Sequence, residues 1–280
     1  MDFSAWESQL AKIQIYIAVT IAAAHITSLV GFNFTGNLSV CSAVAAVLQY
    51  LFTVYAIWLV VHTAVLLHTC YVHGKPREYS LIAVKAPKGE NTEKVGLVRI
   101  FLATWGAPLI VVVILFTKIP YAFGTPESCW LLFTEVVYKT FLASVWFAAM
   151  VNLVLACVTG YYFQKTESQS KANDDEYTMW LDRLWSRLRL YLPSSVILTF
   201  TLATTWTFHA LYKMNPLMTY QYLFQVFNMS QGTLMFVFFC MLNPEVRTVI
   251  YRGSRSRLTN DNGTSTMTND NGTSVMTKTK

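Results

Sequence analysis

Residues 43–71 read AVAAVLQYLFTVYAIWLVVHTAVLLHTCY. These 29 positions contain no Asp, Glu, Lys or Arg. A helix needs about 20 mostly apolar residues to cross the hydrocarbon core of a bilayer. The run exceeds that length, so it reads as a spanning helix that tilts or projects beyond the lipid. The rest of the chain repeats the pattern. Of 280 residues, 54% are apolar and only 13% are charged, too little polar surface to clothe a soluble fold. Six stretches are long enough to span, at 13–32, 43–71, 97–117, 131–163, 189–212 and 218–244. They are continuous apolar blocks, whereas strands of a membrane barrel alternate over about ten residues. The expected fold is all-α, a polytopic helical bundle of six spans.

The segment before the first span carries Asp2, Glu7 and a single cation, Lys12. A secretory leader would have a basic start and a shorter apolar core, so this span reads as a retained anchor. Residues 1–250 form one transmembrane domain. Residues 251–280 repeat TNDNGTSTM and TNDNGTSVM, lack core-forming residues and read as a disordered cytoplasmic tail. Val246, Val249 and Ile250 beside Arg247 and Arg252 suggest a short helix along the inner leaflet.

Six spans leave both termini on one side. With the N-terminus cytoplasmic, 18 of the 21 Lys and Arg fall on cytoplasmic segments, and only Lys118, Lys139 and Lys213 lie outside. That asymmetry is a positive-inside signal. It turns the net charge of +6 into a statement about topology, not nucleic-acid binding. Two further features agree. The loop GFNFTGNLSVC carries glycosylation acceptors at Asn33 and Asn37. Cys41 and Cys129 both sit at the outer side, where a bridge would pin the outer loop over the helix ends. Cys70, Cys157 and Cys240 read as packing residues. The second cytoplasmic loop ends amphipathically at Met179, Trp180, Leu184 and Leu188, which suggests a helix running on into the fifth span.

Polar side chains inside a span mark function more often than chance. The sharpest case is FNMSQGTLMFVFFCML, residues 227–242, with Asn228, Ser230 and Gln231 in an otherwise apolar run. Thr27, Thr53, Ser144 and Thr199 read as helix-to-helix glue. His25, His62 and His209 are scattered over three spans without a ligand cluster, so no metal or other cofactor is expected. His209, near an outer helix end, would reach water. Glu135 and Lys139, four apart, read as an interfacial ion pair. No nucleophile elbow, zinc-protease motif, phosphate-binding glycine loop or paired intramembrane acids are present, so no enzyme activity is expected.

Several stretches, in this order, resemble the seven-helix domain of adhesion-type G-protein-coupled receptors, kin of the secretin-type receptors. VCSAVAAVLQYLFTVYAIWLVVHTAVLL looks like the family's third helix, with Cys41 outside and Trp58 in the inner half. TWGAPLIVVV is similar to its fourth-helix motif at Trp105, Gly106 and Pro108. YAFGTPESCWLL looks like its second outer loop, where the cysteine at Cys129 pairs with the third-helix cysteine and Trp130 follows. LATTWTF resembles its sixth-helix switch around Trp206, and FNMSQGTLMFVFF its seventh-helix asparagine–x–x–glutamine–glycine motif.

The resemblance implies a switch. Gly232 would permit a kink, Gln231 would satisfy the backbone groups freed there, and Asn228 would face neighbouring helices. Together with Trp206, these would couple an outer pocket to the cytoplasmic face. His62 stands where the family usually has a glutamate, and Ala203 where it often has a glycine. By this alignment the family's first helix, its extracellular adhesion region and its tethered peptide agonist have no counterpart in the 280 residues. The implied function is a plasma-membrane receptor, or a fragment of one, that relays extracellular or tethered-peptide cues to a heterotrimeric G protein. The alternatives are a non-signalling truncated isoform or incomplete gene product, and a six-span channel or transporter. The second lacks support from a pore loop, inverted repeats or intramembrane acids.

Overall fold

The computed structural model describes residues 3–31, 34–73, 90–125, 128–170, 175–243 and 246–247. Asn33, residues 74–89 and 171–174 of the two cytoplasmic loops, Val249, Ile250 and the tail lie outside them. Six long helices make up the described chain: α1 Phe3–Gly31, α2 Leu38–His73, α3 Glu90–Lys118, α4 Val136–Ser170, α5 Asp175–Met214 and α6 Met218–Phe236. A π turn, Val237–Met241, continues α6.

These segments are helical because each backbone amide and carbonyl needs a partner where water is absent, and a helix supplies it within the segment. The hydroxyls follow the same rule. Thr20, Thr53, Thr69, Thr104, Thr159, Thr201 and Thr205 each donate to the carbonyl one turn back. A span can therefore carry many hydroxyls without leaving a donor bare.

Five helices are long and apolar enough to cross a membrane: Gln9–Gly31, Leu38–Tyr71, Val98–Lys118, Val136–Lys165 and Met218–Met241. The fifth span expected from the sequence, within α5, falls short on hydropathy. Its stretch carries Ser194, Ser195, Thr199, Thr201, Thr204, Thr205 and Thr207. It still packs between α4 and α6 and against α2, and of those hydroxyls Ser194, Ser195, Thr199, Thr201, Thr205 and Thr207 donate to helix carbonyls. The α5 helix also runs unbroken from Asp175, so the amphipathic stretch before the span is its first turns. Pro193 lies inside it and Pro108 inside α3 without ending either helix.

The hub is α2. It packs against α1, α3, α4 and α5, and 56% of its span is buried, against 17% for α3. Consistent with that place, α2 has no Gly or Pro and buries Phe52, Tyr55, Trp58, Leu59, His62 and Leu66. The outer flanks are apolar but exposed, as at Ile110, Val113, Phe147 and Met150, which suits a lipid surround. Cys157 and Cys240 are exposed on this flank. They are not packing residues as the sequence suggested, whereas Cys70 is buried.

Candidate functional site

The α3–α4 connection folds down into the bundle. A disulfide joins Cys129 to Cys41 near the start of α2. Phe123 and Leu131 pair as an antiparallel bridge, and the Gly124 amide donates to the Trp130 carbonyl at 2.9 Å. Ser42 Oγ donates to the Phe123 carbonyl at 2.8 Å. Gly124 is required here: its φ is +85°, and a Cβ would lie 3.3 Å from Cys41 Sγ. These constraints aim Trp130 inward, where it is buried with Phe123, Cys129 and Leu131.

Trp130 lands on Trp206 of α5. The two indoles stack with centroids 4.5 Å apart and planes 13° from parallel. Trp206 also meets Phe52 of α2 and Phe141 of α4 edge-on, each at 4.9 Å, and Phe224 of α6 at 5.8 Å. One side chain therefore touches four other elements. His209, one turn further along α5, is buried and shares a 2.8 Å hydrogen bond with the Tyr138 hydroxyl. This corrects the expectation that it reaches water: the loop and the outer end of α4 cover it.

Beside this cluster lies the residue that opened the amide question. Gln231 is fully buried, and its Nε2 donates to Thr205 Oγ1 at 3.2 Å. Thr205 immediately precedes Trp206. The expected role, satisfying backbone freed at a Gly232 kink, is not what the structure contains. Gly232 sits inside continuous α-helix, exposed, with open space where a Cβ would be. The departure from α geometry begins at Val237. Gln231 Oε1 and Asn228 Oδ1 have no hydrogen-bond partner, and Ser230 only caps the Phe227 carbonyl.

Deeper, a polar knot ties three helices. Thr63 of α2 and Ser195 of α5 share a hydroxyl pair at 2.6 Å. Asn152 of α4 donates to Thr199 Oγ1 at 2.6 Å and to the Ser195 carbonyl at 3.2 Å. Sequence reasoning missed Asn152, although it is a lone amide in an apolar run, the same signal that singled out Asn228. At the far end His62 is buried between Tyr191 and Phe239, and neither ring nitrogen has a partner.

The remaining site residues lie apart from this axis. Trp58 packs on Tyr16 of α1 at 5.0 Å. The Trp105 carbonyl accepts from Tyr50 at 3.1 Å, while its ring meets Phe101 at 5.9 Å. Gly106 is half-buried and Pro108 buried along α3. Asn37 is exposed, and its Oδ1 caps α2 by accepting from the amides of Ser39 and Val40. Glu135 and Lys139 make no ion pair with each other. They meet through the backbone, Lys139 amide to Glu135 carbonyl at 3.4 Å.

The profile for seven-transmembrane receptors of the secretin family matches residues 3–235. The chain belongs to the secretin family of seven-transmembrane receptors. Curated relatives include adhesion G-protein coupled receptor D1 from Bos taurus, 27% identical over 233 residues that cover 82% of this chain and 23% of that protein. Adhesion G protein-coupled receptor E2 from Homo sapiens is 25% identical over 84% of this chain and 26% of its own. Cadherin EGF LAG seven-pass G-type receptor 1 from Homo sapiens is 24% identical over 86% of this chain and 7% of its own. The chain spans about a quarter or less of these relatives. As a secretin-family member it is an integral membrane protein of a receptor class, not of an enzyme class. The disulfide, the Trp130 loop and the α5–α6 contact form a single column inside this receptor fold.

Proposed function

We propose that this chain is the transmembrane signalling unit of an adhesion-type receptor, relaying an outer cue to a heterotrimeric G protein. The observation that carries the reading is the position of Trp206. It is stacked beneath the buried loop tryptophan Trp130, and its neighbour Thr205 holds Gln231 of α6. A ligand or tethered peptide that displaced Trp130 would have to move Trp206, and with it the α5–α6 contact.

The unpaired groups support a second arrangement. Buried polar atoms are normally bonded. Here Gln231 Oε1, Asn228 Oδ1, Trp206 Nε1 and both His62 nitrogens are not. They are the donors and acceptors that a shifted α6 could engage, and two alternative packings of one element are what a switch needs. Of the residues named from the sequence, Trp206 and Gln231 carry this reading, with His62 and Asn228 as groups paired in the other state. Trp58 contributes through its packing on Tyr16, and Gly232, exposed with open space around it, contributes no contact.

In this reading the disulfide end faces outward, both termini are cytoplasmic, Asn33 and Asn37 are glycosylation acceptors, and the compartment is the plasma membrane. The test is a G-protein activation reporter in cells expressing the chain, with surface delivery measured in parallel. The reading expects activity above the empty-vector level that Trp206→Leu removes. Surface-exposed, disulfide-bonded protein with no activity, basal or peptide-induced, would overturn it.

A further inference from the structure

The far end of α6 carries a period that an α-helix does not have. Among residues 218–243, four are buried: Gln231, Met235, Phe239 and Asn243. They fall at every fourth position. At 3.6 residues per turn each step of four drifts by about 40°, so in a regular helix Asn243 would stand about 120° away from Gln231. The π turn Val237–Met241 removes most of that drift. The Leu242 amide donates to the Val237 carbonyl, five residues back, at 2.9 Å. A turn that holds one extra residue takes back about 100°.

The turn thereby seats Phe239 between two other helices. Its ring meets His62 of α2 at 5.7 Å and Tyr191 of α5 at 6.3 Å, and all three side chains are buried. Phe238 is half-buried, and Leu242 is 46% exposed. In a regular α-helix these two would turn inward instead. They lie seven and eleven positions after Gln231, which puts both within about 20° of its direction. The seat that Phe239 fills would then receive Phe238, an identical side chain. Leu242 would take the buried place of Asn243. The consecutive phenylalanines thus let one seat be filled from two registers, and a switch needs two such packings of one element.

We propose that the end of α6 has two registers: a π register that buries Phe239 and Asn243, and an α register that buries Phe238 and Leu242. Exchange between them leaves α6 up to Phe236 in place. It rotates the chain beyond Met241 by about 100°, starting with Asn243, whose carbonyl accepts the Arg247 amide at 3.1 Å. This deepens the relay proposed above, and it rests on that reading only for what the rotation transmits. The moving part is then the end of the helix that holds Gln231, not a kink at Gly232.

The experiment is fluorine NMR on the full chain in phosphatidylcholine nanodiscs. Cys240 lies in the π turn and is exposed, so it takes a trifluoroethylthio label. Cys157→Ser removes the other exposed thiol, Cys70 is buried, and Cys41 and Cys129 are bonded to each other. In this parent, Phe238→Ala leaves a ring for the π register alone, and Phe239→Ala leaves one for the α register alone. Each variant should assemble and give one line, at different shifts, and the parent should show both lines or a single line between them. The double variant should lose more thermal stability than the two single losses added together. Three results would overturn the proposal: a Phe239→Ala chain that fails to assemble or melts as low as the double variant, a parent spectrum identical to that of Phe238→Ala, or the same shift for both single variants. The spectra need no G protein, so the registers and the relay fail separately.

Discussion

Replacing Gln231 by methionine should stabilise the conformation described here while impairing any relay. Gln231 is fully buried and makes one hydrogen bond, Nε2 to Thr205 Oγ1. Between membrane helices such a bond is worth about 0.6 kcal/mol. Its other end, Oε1, is buried without a partner, which costs about 1–3 kcal/mol. Methionine fills a similar volume and removes both terms, so the balance favours the variant by about 1 kcal/mol. Thr205→Val is the converse. It keeps the shape of the Thr205 side chain but leaves the Gln231 amide wholly unpaired, and should destabilise by about 1–2 kcal/mol. The assay is thermal unfolding of the two purified variants in the same detergent, with the unmodified chain alongside. If Gln231 Oε1 finds a partner only in a second state, Gln231→Met also shifts the equilibrium away from that state, about fivefold for each kcal/mol. Reporter activity then falls as stability rises. A Gln231→Met variant that melts lower than the unmodified chain would refute the assignment of Oε1 as an unmet group. Unchanged activity at raised stability would remove Gln231 from the switch.

Three further outcomes follow from the same geometry. Trp130→Ala deletes the ring stacked on Trp206 and should cost about 3 kcal/mol of stability, read by thermal unfolding; Trp130→Phe should cost less because part of the stack survives. Gly124→Ala forces a left-handed φ on a side chain that has Cys41 Sγ at 3.3 Å, at about 1–2 kcal/mol; the readout is a larger fraction of free Cys41 and Cys129 thiols in a non-reducing gel-shift assay. Asn37 uses its Oδ1 to cap α2 and leaves its amide nitrogen free for a glycan, so protein from mammalian cells should shift on deglycosylation, and Asn37→Gln should reduce that shift.

Much of the fold was legible because the bilayer imposes a local rule. A segment without charges for 29 residues has one stable fate in hydrocarbon, and residues 43–71 meet it inside α2. Cysteine placement was likewise readable, since Cys41 and Cys129 share one side once the spans are drawn. The fifth span was the weak case. Its hydroxyls lower its hydropathy, and what keeps them in the membrane is hydrogen bonding to helix carbonyls, which hydropathy does not count.

Side-chain roles were less legible. Gln231 stood out as an amide in an apolar run, but nothing in that run names its partner, Thr205, 26 residues away. Gly232 read as a kink because glycine permits one; here the helix continues and the irregularity lies at Val237–Met241. His209 read as wet because it lies near a helix end, and it is dry because a loop disulfide-bonded to another helix folds over it. The Asn152–Thr199–Ser195–Thr63 knot was invisible for the same reason: its members come from α4, α5 and α2.

The amino-acid order by itself determined the helical class, the number of long helices, the positive-inside asymmetry and the receptor family, because each depends on composition within a segment or on short motifs in sequence. Only the tertiary structure decided that Trp130 reaches Trp206, that Gln231 pairs with α5, and that Asn152 of α4 reaches Thr199 of α5. Those contacts depend on how each helix is rotated about its axis. That rotation is settled by packing between helices, where many small dispersion and hydrogen-bond terms compete and no single residue type announces the winner.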